Sequence, residues 1–141
     1  MLYTTHDIAA HRIENVYSVN TVTEEMLKHT LNDLKNVGGI EELAVVSRDG
    51  LLFCSTVSQK QHAEKFAAMS ATLMGAAETA TSMLGKSIPD RVIVESKHMK
   101  IIGTCAGPKA LLMVMTEPYA GLGLILSEVA KASEKIKRVL G

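Results

Sequence analysis

The stretch that decides the fold is residues 59–84, QKQHAEKFAAMSATLMGAAETATSML. At 100° per residue, its apolar and small side chains form two stripes along one helix. The first stripe comprises Ala63, Phe66, Ala67, Ser70, Leu73, Met74, Ala77, Thr81 and Leu84. The second stripe, centred roughly 90° round the helix, comprises Met69, Ala76, Ala80 and Met83. Since Glu78 is the only charged residue between Phe66 and Gly85, we predict a long helix that is uncharged over most of its surface.

Two apolar stripes on one helix indicate two contacts. A helix that only covers the core of a small domain shows a single apolar stripe and a charged back. We therefore expect the first stripe to lie on the protein's own sheet and the second to contact another molecule. Small residues allow close approach, and Met69 and Met83 are costly to leave in water. The alternative is an alanine-rich helix with one contact, because alanine favours helices without needing burial.

Composition and charge describe an ordinary globular chain. The 141 residues suggest one domain, and the 15 Lys+Arg balance the 15 Asp+Glu. A net charge of zero removes the electrostatic argument for nucleic acid or an anionic membrane as a partner. Neither a membrane-spanning run nor a signal peptide is visible, and two cysteines do not suggest a disulfide framework. We expect a cytoplasmic protein with no nucleic-acid partner and no membrane insertion.

The residues before the long helix predict one helix and one hairpin. The helix begins near Thr21, with Thr21 or Thr23 as its N-cap, and Gly38-Gly39 stops it. Its apolar stripe consists of Met26, Leu27, Thr30, Leu31, Leu34 and Val37. The strands of the hairpin are residues 43–47 and 51–56. In the first twenty residues, the spacing of Ile8, Ile13, Val16 and Tyr17 suits either a short helix after Thr5 or an arm that orders only against a partner.

The residues from Ser58 onward predict the long helix, three strands and a last helix. Ser58 is expected to cap the long helix, and Gly85 to end it. The strands are residues 91–95, 100–106 and 110–116, and the short turns between them imply antiparallel pairing. The third of these is apolar almost throughout, as in a central strand, whereas the first alternates, as in an edge strand. A last helix to residue 140, with helices on both faces of the sheet, gives a three-layer α+β sandwich.

A search for catalytic motifs finds none. The chain has no GxxxxGK[ST] phosphate loop and no Gly-x-Ser-x-Gly elbow, and its five histidines lack metal-ligand spacing. Cys54 and Cys105 lie in predicted strands, where we expect buried and unreactive thiols. We therefore predict no catalytic residue, no cofactor and no metal site.

Three segments resemble the roadblock (dynein light chain) family: the hairpin GGIEELAVVSRDGLLFCS at residues 38–55, the Ala/Met-rich helix after it, and ALLMVMTEP at residues 110–118. The resemblance covers about residues 21–140. It implies a five-stranded antiparallel sheet with one long helix on one face and two helices on the other. It also places two other strands between those of Cys54 and Cys105, which puts the two residues too far apart for a disulfide. We divide the chain into an N-terminal extension, residues 1–20, and a roadblock-like domain, residues 21–141.

The resemblance also implies a protein that works by binding other proteins. Family members dimerise through the long helix and the third strand, and they regulate Ras-like small GTPases or serve as adaptor subunits. We therefore expect a homodimer that binds a Ras-like GTPase and is not itself an enzyme. The expected dimer interface comprises Met69, Ala76, Ala80, Met83, Arg91, Val92, Ile93 and Val94. The alternatives are a structural adaptor subunit and a small-ligand sensor, and the aromatic content of 4% disfavours the sensor.

Overall fold

The computed structural model describes residues 20–141, in which three helices and five strands follow one another in the predicted order. In chain order the elements are α1 (Thr21–Lys35), β1 (Ile40–Ser47), β2 (Leu52–Ser55), α2 (Lys60–Met83), β3 (Arg91–Glu95), β4 (Lys100–Cys105), β5 (Ala110–Thr116) and α3 (Leu122–Leu140). The helix considered after Thr5 lies outside the described residues.

The five strands form one antiparallel sheet in the order β2-β1-β5-β4-β3. Strand β5 lies at its centre, and all its residues except Met115 are buried, so the prediction of a central strand is confirmed. Among the strands of residues 20–141, β3 pairs only with β4 and is an edge strand, as predicted. Strand β1 begins at Ile40 rather than at Leu43, because Ile40 already pairs with Thr116 of β5.

The two faces of the sheet are covered by different helices, which confirms the three-layer sandwich. Helices α1 and α3 pack on one face, where Leu31, Val45 and Ile136 belong to one buried cluster. Helix α2 packs on the other face, where Val46 and Met74 belong to a second cluster. The neighbours Val45 and Val46 enter different clusters because successive side chains of a strand point to opposite faces.

Helix α2 reaches β4 at Gly103 through the side chain of Met74. A Cβ atom at this position would come within 2.7 Å of the Sδ atom of Met74 and 2.9 Å of the Cε atom of Met113. Both methionines are fully buried, so the space above the glycine is already filled by side chains. Glycine at this point therefore lets a methionine of the helix reach the centre of the sheet.

The predicted N-caps of two helices are wrong by one to three residues. The N-cap of α1 is Asn20, whose Oδ1 accepts a hydrogen bond from the backbone N–H of Thr23 at 2.8 Å, and neither Thr21 nor Thr23 takes that role. Helix α2 begins after Gln59, whose side chain makes no capping hydrogen bond, so Ser58 is not its cap. Asn and Thr are both favoured at N-cap positions, so sequence alone does not choose Asn20 over Thr21 or Thr23 at the start of α1.

The first helix also ends earlier than its glycines suggested. Its C-cap is Asn36, two residues before the Gly38-Gly39 pair. Gly39 has a φ of 94° and belongs to the turn into β1, where only glycine adopts such a conformation without strain. At the end of α2, in contrast, Gly85 has a φ of 70° directly after the C-cap Leu84, as predicted.

Candidate interaction surface

The first stripe of α2 faces the sheet, as predicted. Its buried members are Ala63, Ala67, Ser70 and Met74. The other members are half-buried except Leu84, which is 76% exposed. Including Leu84 in the stripe was wrong, because this residue follows the last residue of the helix and no longer lies over the sheet.

The second stripe of α2 points away from the sheet into solvent. Met69 is 63% exposed and Met83 is 81% exposed, and Ala76 and Ala80 are exposed as well. Burying methionine side chains of this size is favourable by about 1.5–3 kcal/mol each. The chain therefore carries an apolar stripe that its own described residues do not cover.

The exposed face of α2 carries no charge between Ala68 and Met83. Its exposed residues in this range are Ala68, Met69, Thr72, Ala76, Thr79, Ala80, Ser82 and Met83. A helix face turned to water is normally rich in charged side chains. Beyond the helix, Leu84 and Ile88 are further exposed apolar residues, and the exposed Lys86 lies between them in the sequence.

The single charge in this part of α2, Glu78, turns towards the hairpin instead of the exposed stripe. Both of its carboxylate oxygens accept hydrogen bonds from Nη1 of Arg48, at 3.1 and 3.2 Å. Partial burial by itself lowers the pKa of the Arg48 guanidinium. The hydrogen bonds and negative charges that Glu78 and Cys105 offer have a larger combined effect, so the pKa of Arg48 is raised. Sequence reasoning missed this ion pair because its partners are 30 residues apart; an isolated glutamate in an otherwise uncharged helix was the available signal.

The two cysteines differ in their surroundings. Cys54 in β2 is buried as expected, and burial raises the pKa of its thiol to about 12. Cys105 is only half-buried, and its Sγ accepts a hydrogen bond from Nη2 of Arg48 at 3.0 Å. The expectation of a buried thiol was therefore wrong for Cys105, since it lies at the end of β4 beside a polar ion pair. Both thiols are free, and β1 and β5 separate their strands, so the predicted absence of a disulfide is confirmed.

The edge strand β3 offers a second unpaired surface. One side of its backbone is hydrogen-bonded to β4, and no strand of the described chain pairs with the other side. Val92 packs partly against the cluster under α2, whereas Arg91, Ile93 and Val94 are exposed. Unpaired N–H and C=O groups along an apolar edge form a template for another strand. The segment 84–90 links this edge directly to the exposed end of α2.

The part of the chain that the structure describes has neither a metal-binding cluster nor a membrane-spanning helix. Residues 20–141 contain no group of three His, Cys, Asp or Glu side chains that could hold a metal ion. In the same range, no helix has both the length and the apolar character needed to cross a membrane.

Comparison with known sequences identifies a family. Residues 26–116 match the family described as Roadblock/LC7 domain. The chain is 33% identical over 116 residues to the uncharacterised protein MJ0714 of Methanocaldococcus jannaschii, an alignment that covers 82% of this chain and 98% of that protein.

Comparison with solved structures identifies the same fold. A structure described as MglB with tetrameric arrangement superposes with a TM-score of 0.80 at 17% identity, over 87% of this chain and 93% of that one. The gliding protein MglB of Thermus thermophilus superposes with a TM-score of 0.78 at 18% identity, over 87% and 94% of the two chains. At such identities the likeness establishes the fold and does not by itself extend to partners.

Proposed function

The chain belongs to the Roadblock/LC7 domain family, and from this membership we propose that it is a cytoplasmic, homodimeric interaction module that binds a Ras-like small GTPase. In this role it regulates or positions the GTPase and catalyses no reaction of its own. The resemblance of the hairpin and of the Ala/Met-rich helix to this family supports the choice of a GTPase as partner. The adaptor role remains the second candidate, since it uses the same surfaces.

The observation that carries the proposal is the uncharged, exposed face of α2 beside the open edge of β3. A two-fold axis next to this surface would bring Met69, Ala76, Ala80 and Met83 against their own copies. The same axis would pair the two β3 strands, so that the two sheets become one continuous sheet across the dimer. The residues of β3 in this contact would include Arg91 to Val94. Both unpaired features would then be satisfied by one contact.

The half-buried ion pair of Arg48 and Glu78 supports this arrangement. An unpaired carboxylate on the exposed face of α2 would have to be desolvated in a dimer, at a cost of several kcal/mol. Because Glu78 is bonded to the hairpin of its own subunit, the stripe can approach a second helix without burying a free charge.

The GTPase half of the proposal is tested by affinity purification from the organism's own cells. The tagged full chain is expected to retain a Ras-like GTPase, identified by mass spectrometry, and the purified pair is expected to re-form a complex in the GDP or the GTP-analogue state. The purified chain alone is expected to hydrolyse no GTP.

Two results would contradict it. GTP turnover that persists at constant specific activity through further purification steps would show an enzyme. A dimer that retains no GTPase in either nucleotide state, while other proteins purify with it in fixed stoichiometry, would favour the adaptor role.

A further inference from the structure

A groove lies between α1 and α3, on the side of the sheet opposite α2. The two helices pack side by side, and between the start of α1 and the end of α3 is a space of about 700 Å³. Its apolar lining includes Val22, Met26 and Val139. Because α2 packs on the other face, the sheet separates this groove from the candidate dimer surface.

Two apolar side chains of α1 form an exposed ridge along this groove. Val22 is 69% exposed and Met26 is 48% exposed, although Met26 belongs to the apolar stripe that was predicted for this helix. The two residues are one helical turn apart and therefore face the same direction. Within residues 20–141, no other side chain covers this ridge.

The two helices carry charges of opposite sign into the groove. Glu25 lines it from α1, and Lys135 and Arg138 line it from α3. All three side chains are exposed, and none of them belongs to an ion pair within residues 20–141. A strongly acidic or strongly basic partner would be repelled by one of the two helices. The groove therefore suits a partner that is apolar in the middle and carries both signs of charge.

A second copy of the same groove has this distribution of charge. A two-fold axis through the groove places α3 of each copy opposite α1 of the other. Because the start of α1 lies beside the end of α3, Glu25 is level along the groove with Lys135 and Arg138. Each Glu25 then faces Lys135 and Arg138 of the other copy, and the two apolar ridges cover one another. The symmetry forms this set of complementary contacts twice.

From these observations we propose that the α1–α3 groove binds a second copy of this chain in a symmetric contact, separate from the one proposed for α2 and β3. Its apolar ridge is short, and exposed ion pairs contribute little to stability, so this contact is the weaker of the two. Subunits pair through α2 when dilute, and the groove joins these pairs into larger assemblies as the concentration rises. The groove contact depends neither on GTPase binding nor on the α2 contact.

Charge reversal on the two sides of the groove tests the proposal. The parent is the full chain with Ala76→Lys, a substitution that is expected to disrupt the α2 contact, and sedimentation equilibrium measures its mass. We expect the parent to be monomeric when dilute and to associate as the concentration rises. Adding Glu25→Lys, or Lys135→Glu together with Arg138→Glu, brings like charges together twice and is expected to abolish the association. An equimolar mixture of these two variants is expected to restore it, because all facing charges in the mixed pair are opposite.

Glu134→Lys is the matched control, since it reverses an exposed carboxylate of α3 that does not line the groove. It is expected to leave the association unchanged. Circular dichroism verifies the fold of each variant, and Lys135→Glu alone replaces the double substitution if that variant does not fold. If Ala76→Lys itself unfolds, the same series is made in the natural chain, where the groove variants are expected to lose only the association beyond the α2 dimer.

Four results would overturn the proposal. The parent could stay monomeric up to its solubility limit, which would leave the groove to a different partner. Either charge-reversed variant could associate by itself as strongly as the parent. The mixture could associate no more than its two components, or Glu134→Lys could abolish the association as well. None of these results bears on the α2 contact, which is measured in the natural chain at low concentration.

Discussion

At the scale of single residues, Cys54 shows how burial changes the chemistry of a side chain. Its thiol lies in β2 among the residues between the sheet and α1, and removal from water penalises the thiolate. The charge of Glu24 acts in the same direction, and that of Lys28 opposes it. Cys105 lacks this shielding, so two identical side chains are expected to react differently.

We predict that Cys54 makes the protein less stable at alkaline pH. Below its ordinary pKa of 9.0 the thiol is protonated in both folded and unfolded chains, so stability does not depend on it. Between 9.0 and about 12 only the unfolded chain ionises. The free energy of unfolding therefore falls, at most by about 1.4 kcal/mol per pH unit. Urea unfolding at increasing pH, compared with Cys54→Ala, measures the effect, because all other titrating groups are shared.

If the wild type and Cys54→Ala lost stability in parallel above pH 9.0, the raised pKa of Cys54 would be refuted. A thiol reagent gives an independent reading. In the folded protein at neutral pH, Cys105 is expected to be modified, and Cys54 only after unfolding.

At the scale of elements, the two faces of α2 could be predicted from the sequence, whereas its contacts with residues far away in the sequence could not. Helical periodicity depends only on local spacing, so it separated the buried Ala67 and Met74 from the exposed Met69 and Met83. The ion pair between Glu78 and Arg48 depends on how the hairpin docks on the helix, which no local pattern encodes. The N-cap of α1 was misplaced for a different reason, because the neighbouring Asn20, Thr21 and Thr23 are all residues favoured at that position.

We predict that a lysine substitution dissociates the dimer on one face of α2 and unfolds the domain on the other. Ala76→Lys introduces a charge twice into the proposed dimer contact, at a cost of several kcal/mol, and is expected to give a folded monomer. Ala67→Lys, at a position that is 0% exposed over the sheet, is expected to unfold the domain. Light scattering measures the mass, and circular dichroism the helix content, of each variant and of the wild type, which is expected to be a dimer.

The assignment of faces would be wrong if the wild type were monomeric at all accessible concentrations. It would also be wrong if Ala76→Lys unfolded the chain while Ala67→Lys left it folded. Thr72→Lys is a second test of the dimer face. Because Thr72 is exposed on the same uncharged face, this substitution is also expected to weaken the dimer.

At the scale of the whole molecule, the sheet follows from the patterns of its strands. The unbroken apolar run of β5 requires cover on both faces and hence a central position, and the alternation in β3 suits an edge. The full order β2-β1-β5-β4-β3, in contrast, was expected only from the resemblance to a family, because hairpin turns fix just the pairs β1–β2, β3–β4 and β4–β5. The exposure of Met26 in α1, which is 48%, was not predicted, since Met26 has the spacing of a buried residue.

Oxidation of the methionines of α2 gives a further test of the proposed dimer contact. Peroxide converts an accessible methionine into a polar sulfoxide, while a buried one is shielded. In a folded monomer such as Ala76→Lys, we expect Met69 and Met83 to oxidise rapidly, and Met74 and Met113, at 1% and 0% exposure, to remain intact. If the wild type is the proposed dimer, the first two are expected to oxidise much more slowly in it, as peptide mass spectrometry can quantify. Equal rates in both proteins would place these methionines outside the contact. If they lie inside it, oxidative stress would separate the subunits without unfolding them.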